Sequence, residues 1–361
     1  MPHFSFLIVN FYLFIVLIYV LLILLFLTFI IILGFVIYRK KVASNKALWH
    51  QNIAPVILQA IFLEEDGGDR VEVTYKFKML FQDPRFRRYA INELIKAKDN
   101  FSGSSASSLQ TLYESLDLDG DSFRELHNPK WHIKAKGIQE LGIMKQAKYR
   151  KEIFWLANNK HELVRNEAQC AMVSFFGFSG LSFLNVIEYP MSQWHQVQLL
   201  HKLNDVKPET FEALKTWMQS SNESVIVFAI KLATLYNCYG VYTNVVNCLK
   251  HPGVQVKISA LEYLKQMPQE DTPDRIISNY YSENINYKLA VINALKDIGT
   301  EKQISFLVKE LHNKNNDVKA AAANSLSVLH PLGHTFFKTY LLAEEKPWKE
   351  IFLQITHNRI A

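Results

Sequence analysis

The chain has 361 residues, of which 49% are hydrophobic and 20% are charged, with 13 Gly and 11 Pro. This composition excludes collagen-like, disulfide-scaffold and wholly disordered proteins. The 40 Lys and Arg residues exceed the 34 Asp and Glu residues by six, and residues 39–41 supply three of those six charges, so a nucleic acid is not expected as a partner. Cys170, Cys238 and Cys248 are scattered and odd in number, which is typical of a reducing compartment.

The first feature in chain order is an apolar run, because residues 11–38 carry no charge. A helix of that length measures about 42 Å, enough to cross a hydrocarbon core of about 30 Å. A cleaved signal peptide is the alternative, but no Lys or Arg precedes the run and no A-x-A cleavage site follows it. We therefore predict that residues 1–38 form an uncleaved transmembrane anchor, which contacts the lipid bilayer through residues 11–38.

The charges that flank the run predict its orientation. Residues 1–10 contain no Lys or Arg, whereas Arg39, Lys40, Lys41 and Lys46 follow the run. Positive charge close to a span is retained in the cytoplasm, so we expect a single-pass protein with its N-terminus outside and its C-terminal part cytoplasmic, as in the bacterial inner membrane. Residues 39–70 are predicted to be a basic juxtamembrane segment and linker.

The rest of the chain repeats itself with a period of 31 residues. Residues 164–172 and 318–326 share one pattern, in which a β-branched residue is followed by a basic residue, then by a small residue at position +4 and a large apolar residue at position +8. Copies of the pattern start at residues 133, 164, 195, 225, 256, 287 and 318, and spacing this regular indicates a repeat architecture. A further copy starts at Phe86, and a degenerate one starts at Trp348. The extra residues after the first copy, about 98–126, are predicted to be a flexible surface insertion.

The pattern within a copy predicts the fold class. Positions 0, +4, +5 and +8 are mostly apolar and cover one face of a helix, and a second apolar stretch lies between successive copies. We therefore predict an all-α protein, with a single N-terminal transmembrane helix followed over residues 71–361 by an α-α solenoid of about nine helix pairs. Residues 71–75 are predicted to begin the first helix of the first pair.

The Val-Arg/Lys-x-x-Ala-x-x-x-Leu helix that recurs every 31 residues resembles HEAT repeats, and in particular the short HEAT-like repeats of phycobilisome lyases. The resemblance covers roughly residues 71–361. It implies a stacked helical fold and is nearly silent on activity. It leaves open a lyase or chaperone-type action on a modified or chromophore-bearing protein.

The basic residues at position +1 form a ladder that we interpret as structural. We expect them to pair with turn residues of adjacent units, such as Asp83, Glu162, Asn284 and Asp317, rather than to bind phosphate. Gln196 interrupts the ladder, as does Ile226. The ladder comprises Arg87, Lys134, Arg165, Lys257, Lys288 and Lys319.

The residues at position +6 point away from the apolar face and, in the family that the chain resembles, would line the inner surface. No one sign of charge dominates among them, which favours a protein as the ligand, although ordinary solvated positions would give the same pattern. The column comprises Asn92, Gln139, Cys170, His201, Lys231, Glu262, Asn293 and Asn324.

Catalytic and metal-binding motifs are weak. Residues 117–121 resemble a Ca²⁺ loop, but Ser122 stands where the loop requires Gly. His161-Glu162 is not a zinc-binding H-E-x-x-H motif, and Pro331 breaks the helix that would bring His330 and His334 to one face. Residues 177–181 lack the last Gly of a nucleophile elbow. We therefore predict no enzymatic activity, no cofactor and no metal.

These features together predict a cytoplasmic scaffold that holds a protein partner, itself membrane-associated, at the membrane. A membrane enzyme assembly, such as one for envelope polysaccharide synthesis, or a signalling complex is the kind of client that this location suggests. The alternative is the lyase or chaperone-type activity, and a third is that the transmembrane helix itself recognises the partner.

Overall fold

The computed structural model describes residues 2–62, 71–204, 210–278, 280–329 and 348–351. Over these residues the chain consists of α-helices, short 3₁₀ segments and turns, with no strand. The predicted all-α class is confirmed. The chain divides into two compact units, residues 1–124 and residues 125–361.

Helix α1, Pro2–Phe62, contains the apolar run and continues well beyond it. Its most apolar 18-residue window has a mean hydropathy of 3.4 and no buried residue, so α1 is long and apolar enough to cross a membrane. The segment predicted as a linker is helical as far as Phe62, and Ile53, Val56 and Ala60 in it are buried. The prediction was wrong here because apolar residues spaced three and four apart continue after the charged cluster and give α1 a second, packed face.

Of the remaining helices of the first unit, the first three along the chain pack on α1. Val71–Thr74 has no regular structure, so the prediction of a helix at residues 71–75 was wrong by four positions. The reason is that Thr74 acts as an N-cap, with its side-chain oxygen accepting from the Phe77 N–H at 3.2 Å. The helices are α2, Tyr75–Leu80; α3, Pro84–Asn100; α4, Gly103–Ser115; and α5, Leu118–Leu126.

The predicted surface insertion at about residues 98–126 is part of the core of the first unit. It forms α4 and α5, and Leu109, Leu112 and Tyr113 of α4 are buried where α4 packs on α1. The Tyr113 hydroxyl also donates to Ser122 Oγ at 2.8 Å. The Ser-rich stretch suggested a loop, but apolar residues spaced three and four apart make it an amphipathic helix.

The second unit is built from the repeats. The helix of each copy begins two residues before the copy's first residue. Ser192, Asn222 and Asn284 are among the N-caps that start these helices, each accepting from a backbone N–H of the first turn. The repeat helices are α6, Trp131–Ile143; α8, Glu162–Phe176; α9, Gln193–Leu203; α11, Glu223–Leu235; α13, Val254–Gln266; α15, Ile285–Ile298; and α17, Asn316–Leu329.

Shorter helices lie between the repeat helices, over the second apolar stretches of the sequence. They are α7, Arg150–Leu156; α10, Glu212–Trp217; α12, Tyr242–Cys248; α14, Thr272–Ile277; and α16, Ile304–Glu310. Between α8 and α9 the short helix is replaced by a 3₁₀ segment, Gly177–Asn185. Gly180 of this segment passes against the backbone of α8, where a Cβ atom would lie 2.2 Å from the Met172 carbonyl oxygen.

The core of the second unit is formed by the repeated apolar positions. Each repeat helix packs on the next one along the chain, and the residues at positions +4 and +8 are buried in all of them. Position 0 is also buried in every copy except that of Ile133, which is half-buried. This is the side-by-side stacking of an α-α solenoid. The predicted number of about nine pairs stays a prediction, because the last copy is described only over residues 348–351.

Candidate protein-interaction groove

Three of the predicted inner-surface residues line one groove in the second unit. Gln139 of α6, Cys170 of α8 and His201 of α9 face a space of about 450 Å³. The groove is also lined by residues at other positions of the same three helices, among them Gly142, Asn166, Glu167, Gln198 and Lys202. We call this site the α6–α8–α9 groove.

The close approach of α6 and α8 shapes one side of the groove. A Cβ atom at Gly142 would lie 2.8 Å from Ala171 Cβ and 3.1 Å from Ala171 Cα, so only glycine fits at this position without a shift. The sequence suggested that small residues at position +4 would permit close helix packing. The structure places this contact one turn later, between positions +9 and +7 of neighbouring copies.

The side chains that line the groove can form hydrogen bonds, but they include no reactive thiolate. Burial raises the pKa of the Cys170 thiol to about 11, so the thiol stays protonated and is a poor nucleophile at neutral pH. Burial also raises the pKa of Glu167, an effect that the nearby Lys202 partly opposes. The amide side chains of Gln139, Asn166 and Gln198 can each donate and accept, as the backbone of a bound peptide requires.

A buried polar network joins α8 and α9 beneath the groove. Gln169 donates from Nε2 to the Ala157 carbonyl oxygen at 2.8 Å, and its Oε1 atom lies 2.8 Å from His195 Nε2. This arrangement makes His195 Nε2 the donor. Burial lowers the pKa of His195 to about 4, so the ring is neutral at physiological pH. The Gln169 amide is paired at both ends, whereas His195 Nδ1 is buried without a hydrogen-bond partner among the described residues. The hydrogen bond from His195 to Gln169 links the two helices, α8 and α9, that form the groove.

Exposed apolar side chains lie one turn before groove-lining residues on α8 and α9. Trp194 is 71% exposed, and it lies one turn before Gln198 on the same face of α9. Leu163 is exposed one turn before Glu167 on α8 in the same way. The sequence interpretation missed this patch because the six tryptophans are dispersed along the chain. The signal was the shared position −1 of Leu163 and Trp194 in adjacent copies.

The other members of the +6 column do not line this groove. Lys231 is half-buried and donates to Gln196 Oε1 at 3.0 Å, which links it to the residue that interrupts the basic ladder. Asn92 lies in the first unit and is half-buried. Glu262 and Asn293 are exposed and Asn324 is half-buried, on α13, α15 and α17 respectively. The column is therefore divided in the structure, and only its members on α6, α8 and α9 converge.

The basic ladder makes contacts within each unit, but with other partners than the sequence suggested. Arg165 donates to the Asn159 carbonyl oxygen at 2.8 Å, and its guanidinium lies over the Tyr189 ring. Lys257 pairs with Glu283 at 2.5 Å. The remaining described members, Lys134, Lys288 and Lys319, are half-buried.

Two of the suggested ladder partners, Asp83 and Asn284, have other roles. Asp83 pairs with Arg85 at 3.0 Å, whereas Arg87 pairs with Asp121 at 2.5 Å and donates to the Asp117 carbonyl oxygen at 2.7 Å. The segment that resembled a Ca²⁺ loop thus supplies the partner of the first ladder residue. Asn284 caps α15.

The comparisons with known proteins assign the C-terminal repeats to a family. The family model for HEAT repeats matches residues 242–327, which is the run from the first residue of α12 into α17. Residues 242–327 are HEAT repeats. No curated protein sequence matches the chain. The repeat helices of the other copies in the second unit recur every 30 or 31 residues, and their residues at positions +4 and +8 are buried as they are in residues 242–327. The narrower resemblance to phycobilisome-lyase repeats stays a prediction.

Proposed function

We propose that this protein is a membrane-anchored scaffold whose α6–α8–α9 groove binds a protein partner and holds it at the cytoplasmic face of the membrane. The observation that carries the proposal is the convergence of amide side chains and exposed apolar side chains on three adjacent helices. Trp194 offers a large apolar contact of the kind that dominates protein interfaces, and the amides offer paired hydrogen bonds. Tethering raises the local concentration of a membrane-associated partner, so a modest affinity is sufficient.

The course of α1 supports the anchoring half of the proposal. The helix does not end after its apolar run but continues to Phe62, with its last part in the core of the first unit. A signal peptide would be removed from the folded domain, whereas this helix contributes part of it. The basic residues 39–41 and 46 favour an orientation with both units in the cytoplasm. In intact spheroplasts we expect the C-terminal part to resist added protease, and its digestion would contradict the orientation.

A photocrosslinking experiment tests the groove. Gln198 is replaced by p-benzoylphenylalanine in the full chain, and cells are irradiated before the membranes are solubilised. We expect one defined protein adduct. The matched control places the same group at Trp155, which is 79% exposed on α7 in the same unit. Equal adducts at the two positions, or none at position 198, would show that the groove is not the binding site.

The same groove predicts the effect of substitutions on binding. We expect Trp194→Ala to weaken binding of the captured partner by about 30-fold, because truncation of a large aromatic side chain at a protein interface can cost about 2 kcal/mol. Trp155→Ala removes an equally exposed tryptophan outside the groove and serves as the control. Binding is measured with purified full-length protein in detergent and the partner identified by its adduct.

A further inference from the structure

The surface of interest lies in the first unit, where α2 meets the first turn of α3. We call residues 75–88 the basic corner. The segment contains five Lys or Arg residues and one Asp. The basic corner belongs to the first unit, whereas the α6–α8–α9 groove belongs to the second, so the corner takes no part in that site.

The basic corner lies toward the apolar end of α1. In the orientation that satisfies both groups, the Gln59 side-chain amide pairs with the Glu72 backbone at 3.1 and 3.2 Å. The Trp49 ring lies 6.2 Å from the Phe86 ring and 5.7 Å from the Tyr89 ring. Between Glu72 and Phe86 the chain therefore returns along α1, from the level of Gln59 to the level of Trp49.

The part of the first unit nearer the apolar run carries excess positive charge. Residues 39–46 carry four positive charges and no negative one, and the basic corner has a net charge of 5 − 1 = +4. Positive charge at the end nearer the apolar run attracts an anionic surface.

Two pairs neutralise part of the corner and leave its lysines exposed. Arg85 pairs with Asp83, and Arg87 pairs with Asp121. Lys76 and Lys78 are exposed on α2.

Exposed apolar side chains accompany these lysines. Tyr75 is 78% exposed and Met79 is 53% exposed, and both lie on one face of α2. The buried side chain of Phe77 holds α2 against the rest of the unit. Lysines beside aromatic and apolar side chains are typical of segments that lie in the headgroup region of a bilayer.

The distance along α1 fits a contact with lipid headgroups. Trp49 lies eleven residues after Tyr38, which is about 16 Å along a helix. A headgroup layer about 6 Å thick leaves a gap of about 10 Å between its outer edge and the level of Trp49. This gap is near the Debye length, which is about 8 Å at physiological salt. A tilt of α1 by about 20° toward the side of the corner narrows the gap. We propose that the basic corner faces anionic lipid headgroups and is attracted to them across this gap, so that the first unit is a second, peripheral membrane contact. The proposal rests on the anchoring half of the proposed function and not on the partner.

A fluorescence experiment on the full chain tests the contact. An NBD label is attached at Met79→Cys in a Cys170→Ser background, because Cys238 and Cys248 are buried. The protein is reconstituted in vesicles of phosphatidylcholine alone or with 30% phosphatidylglycerol, together with a headgroup spin-labelled lipid. We expect stronger quenching in the anionic vesicles, and we expect 1 M salt to remove the difference. A label at Phe62→Cys, at the far end of α1, is expected to show no such difference.

Substitution of the two α2 lysines tests whether their charge, rather than the position of the label near the bilayer, causes the quenching. Lys76→Gln with Lys78→Gln is expected to lower the ratio of docked to undocked protein about 30-fold, since each charge near an anionic surface is worth about 1 kcal/mol. The matched control is Lys250→Gln with Lys314→Gln, which removes two exposed lysines from the second unit.

Three results would overturn the proposal. They are equal quenching in the two lipid compositions, equal quenching at positions 62 and 79, and no effect of the α2 lysines. A label response that appears only when native membrane proteins are present would assign the corner to a protein instead. Flotation of the vesicles after a carbonate wash shows whether α1 still spans the bilayer, because carbonate releases peripheral proteins only. Loss of the anchor is thereby distinguished from loss of the corner contact.

Discussion

Gly142 permits the helix contact that borders the groove. We expect Gly142→Ala to lower the free energy of unfolding by about 1 kcal/mol, because overpacking costs about 1–3 kcal/mol and the gain in helix propensity returns about 1 kcal/mol. Urea unfolding of the purified protein measures the change. Gly240→Ala is the control, since nothing lies within 4 Å of a Cβ atom at Gly240. Equal effects of the two substitutions would contradict the tight contact.

Buried His195 predicts a dependence of stability on pH. Its pKa is about 4 in the folded protein and 6.5 in an ordinary environment, so the unfolded chain binds a proton first as the pH falls. The contribution to stability is therefore complete above about pH 6.5 and is lost between pH 6.5 and about pH 4. The slope in that window is at most about 1.4 kcal/mol per pH unit.

The comparison with a histidine variant isolates this contribution. We expect the melting temperature of the wild type to fall more steeply from pH 7 to pH 5 than that of His195→Asn, which has no group that titrates there. Parallel pH profiles for the two proteins would show that His195 is accessible to protons in the folded state.

The sequence predicted which positions face the groove but not which copies converge there. Helix geometry alone places position +6 away from the apolar face, and the resemblance to HEAT repeats implied that this position lines an inner surface. Gln139, Cys170 and His201 belong to that column. Their convergence depends on the close approach of α6 to α8 and on the replacement of a short helix by the 3₁₀ segment before α9. Both are properties of packing between copies, which the pattern within one copy does not contain.

At the scale of the helix, we expect the ladder residue Lys257 to destabilise the fold measurably when its ion-pair partner is removed. The side chains of Lys257 and Glu283 are only 9% and 14% exposed, so Glu283→Gln leaves a mostly buried charge without its counter-ion. We expect this substitution to lower the free energy of unfolding by about 3 kcal/mol.

The exposed pair of Lys215 and Glu212 is a suitable control for this ion pair. Glu212 is 77% exposed, and the pair joins residues three apart on α10. We expect Glu212→Gln to change the free energy of unfolding by less than about 0.5 kcal/mol. If urea midpoints moved equally for the two glutamine variants, the burial of the Lys257 pair would not contribute to stability.

Helix positions in the second unit followed from the sequence far better than those in the first. The 31-residue period predicted where each repeat helix lies, because the buried positions recur with that period. In the first unit the packed part of α1 stands in place of a repeat, and α4 and α5 have no counterpart elsewhere in the chain. A period cannot predict elements that occur once.

At the scale of the whole molecule, the stacking of repeat helices predicts a pattern of hydrogen exchange. Helix α11 has eight buried residues among its 13 and lies between α9 and α13. Helix α10 has six residues, of which two are buried. We expect α11 to exchange at least tenfold more slowly than α10, because local opening of a short outer helix exposes less apolar surface. Mass spectrometry of peptic fragments measures the rates, and equal protection would indicate that the pair opens as one.

The continuity of α1 has a consequence for how the span and the first unit are coupled. Because no loop separates the apolar run from the part that packs at Ile53 and Val56, the two share one helical phase. One residue inserted between positions 41 and 46 would rotate the face of the span by about 100° relative to the first unit, whereas seven residues would restore it to within about 20°. The packing of the first unit on α1 therefore determines which face of the span is presented to a neighbouring helix in the bilayer.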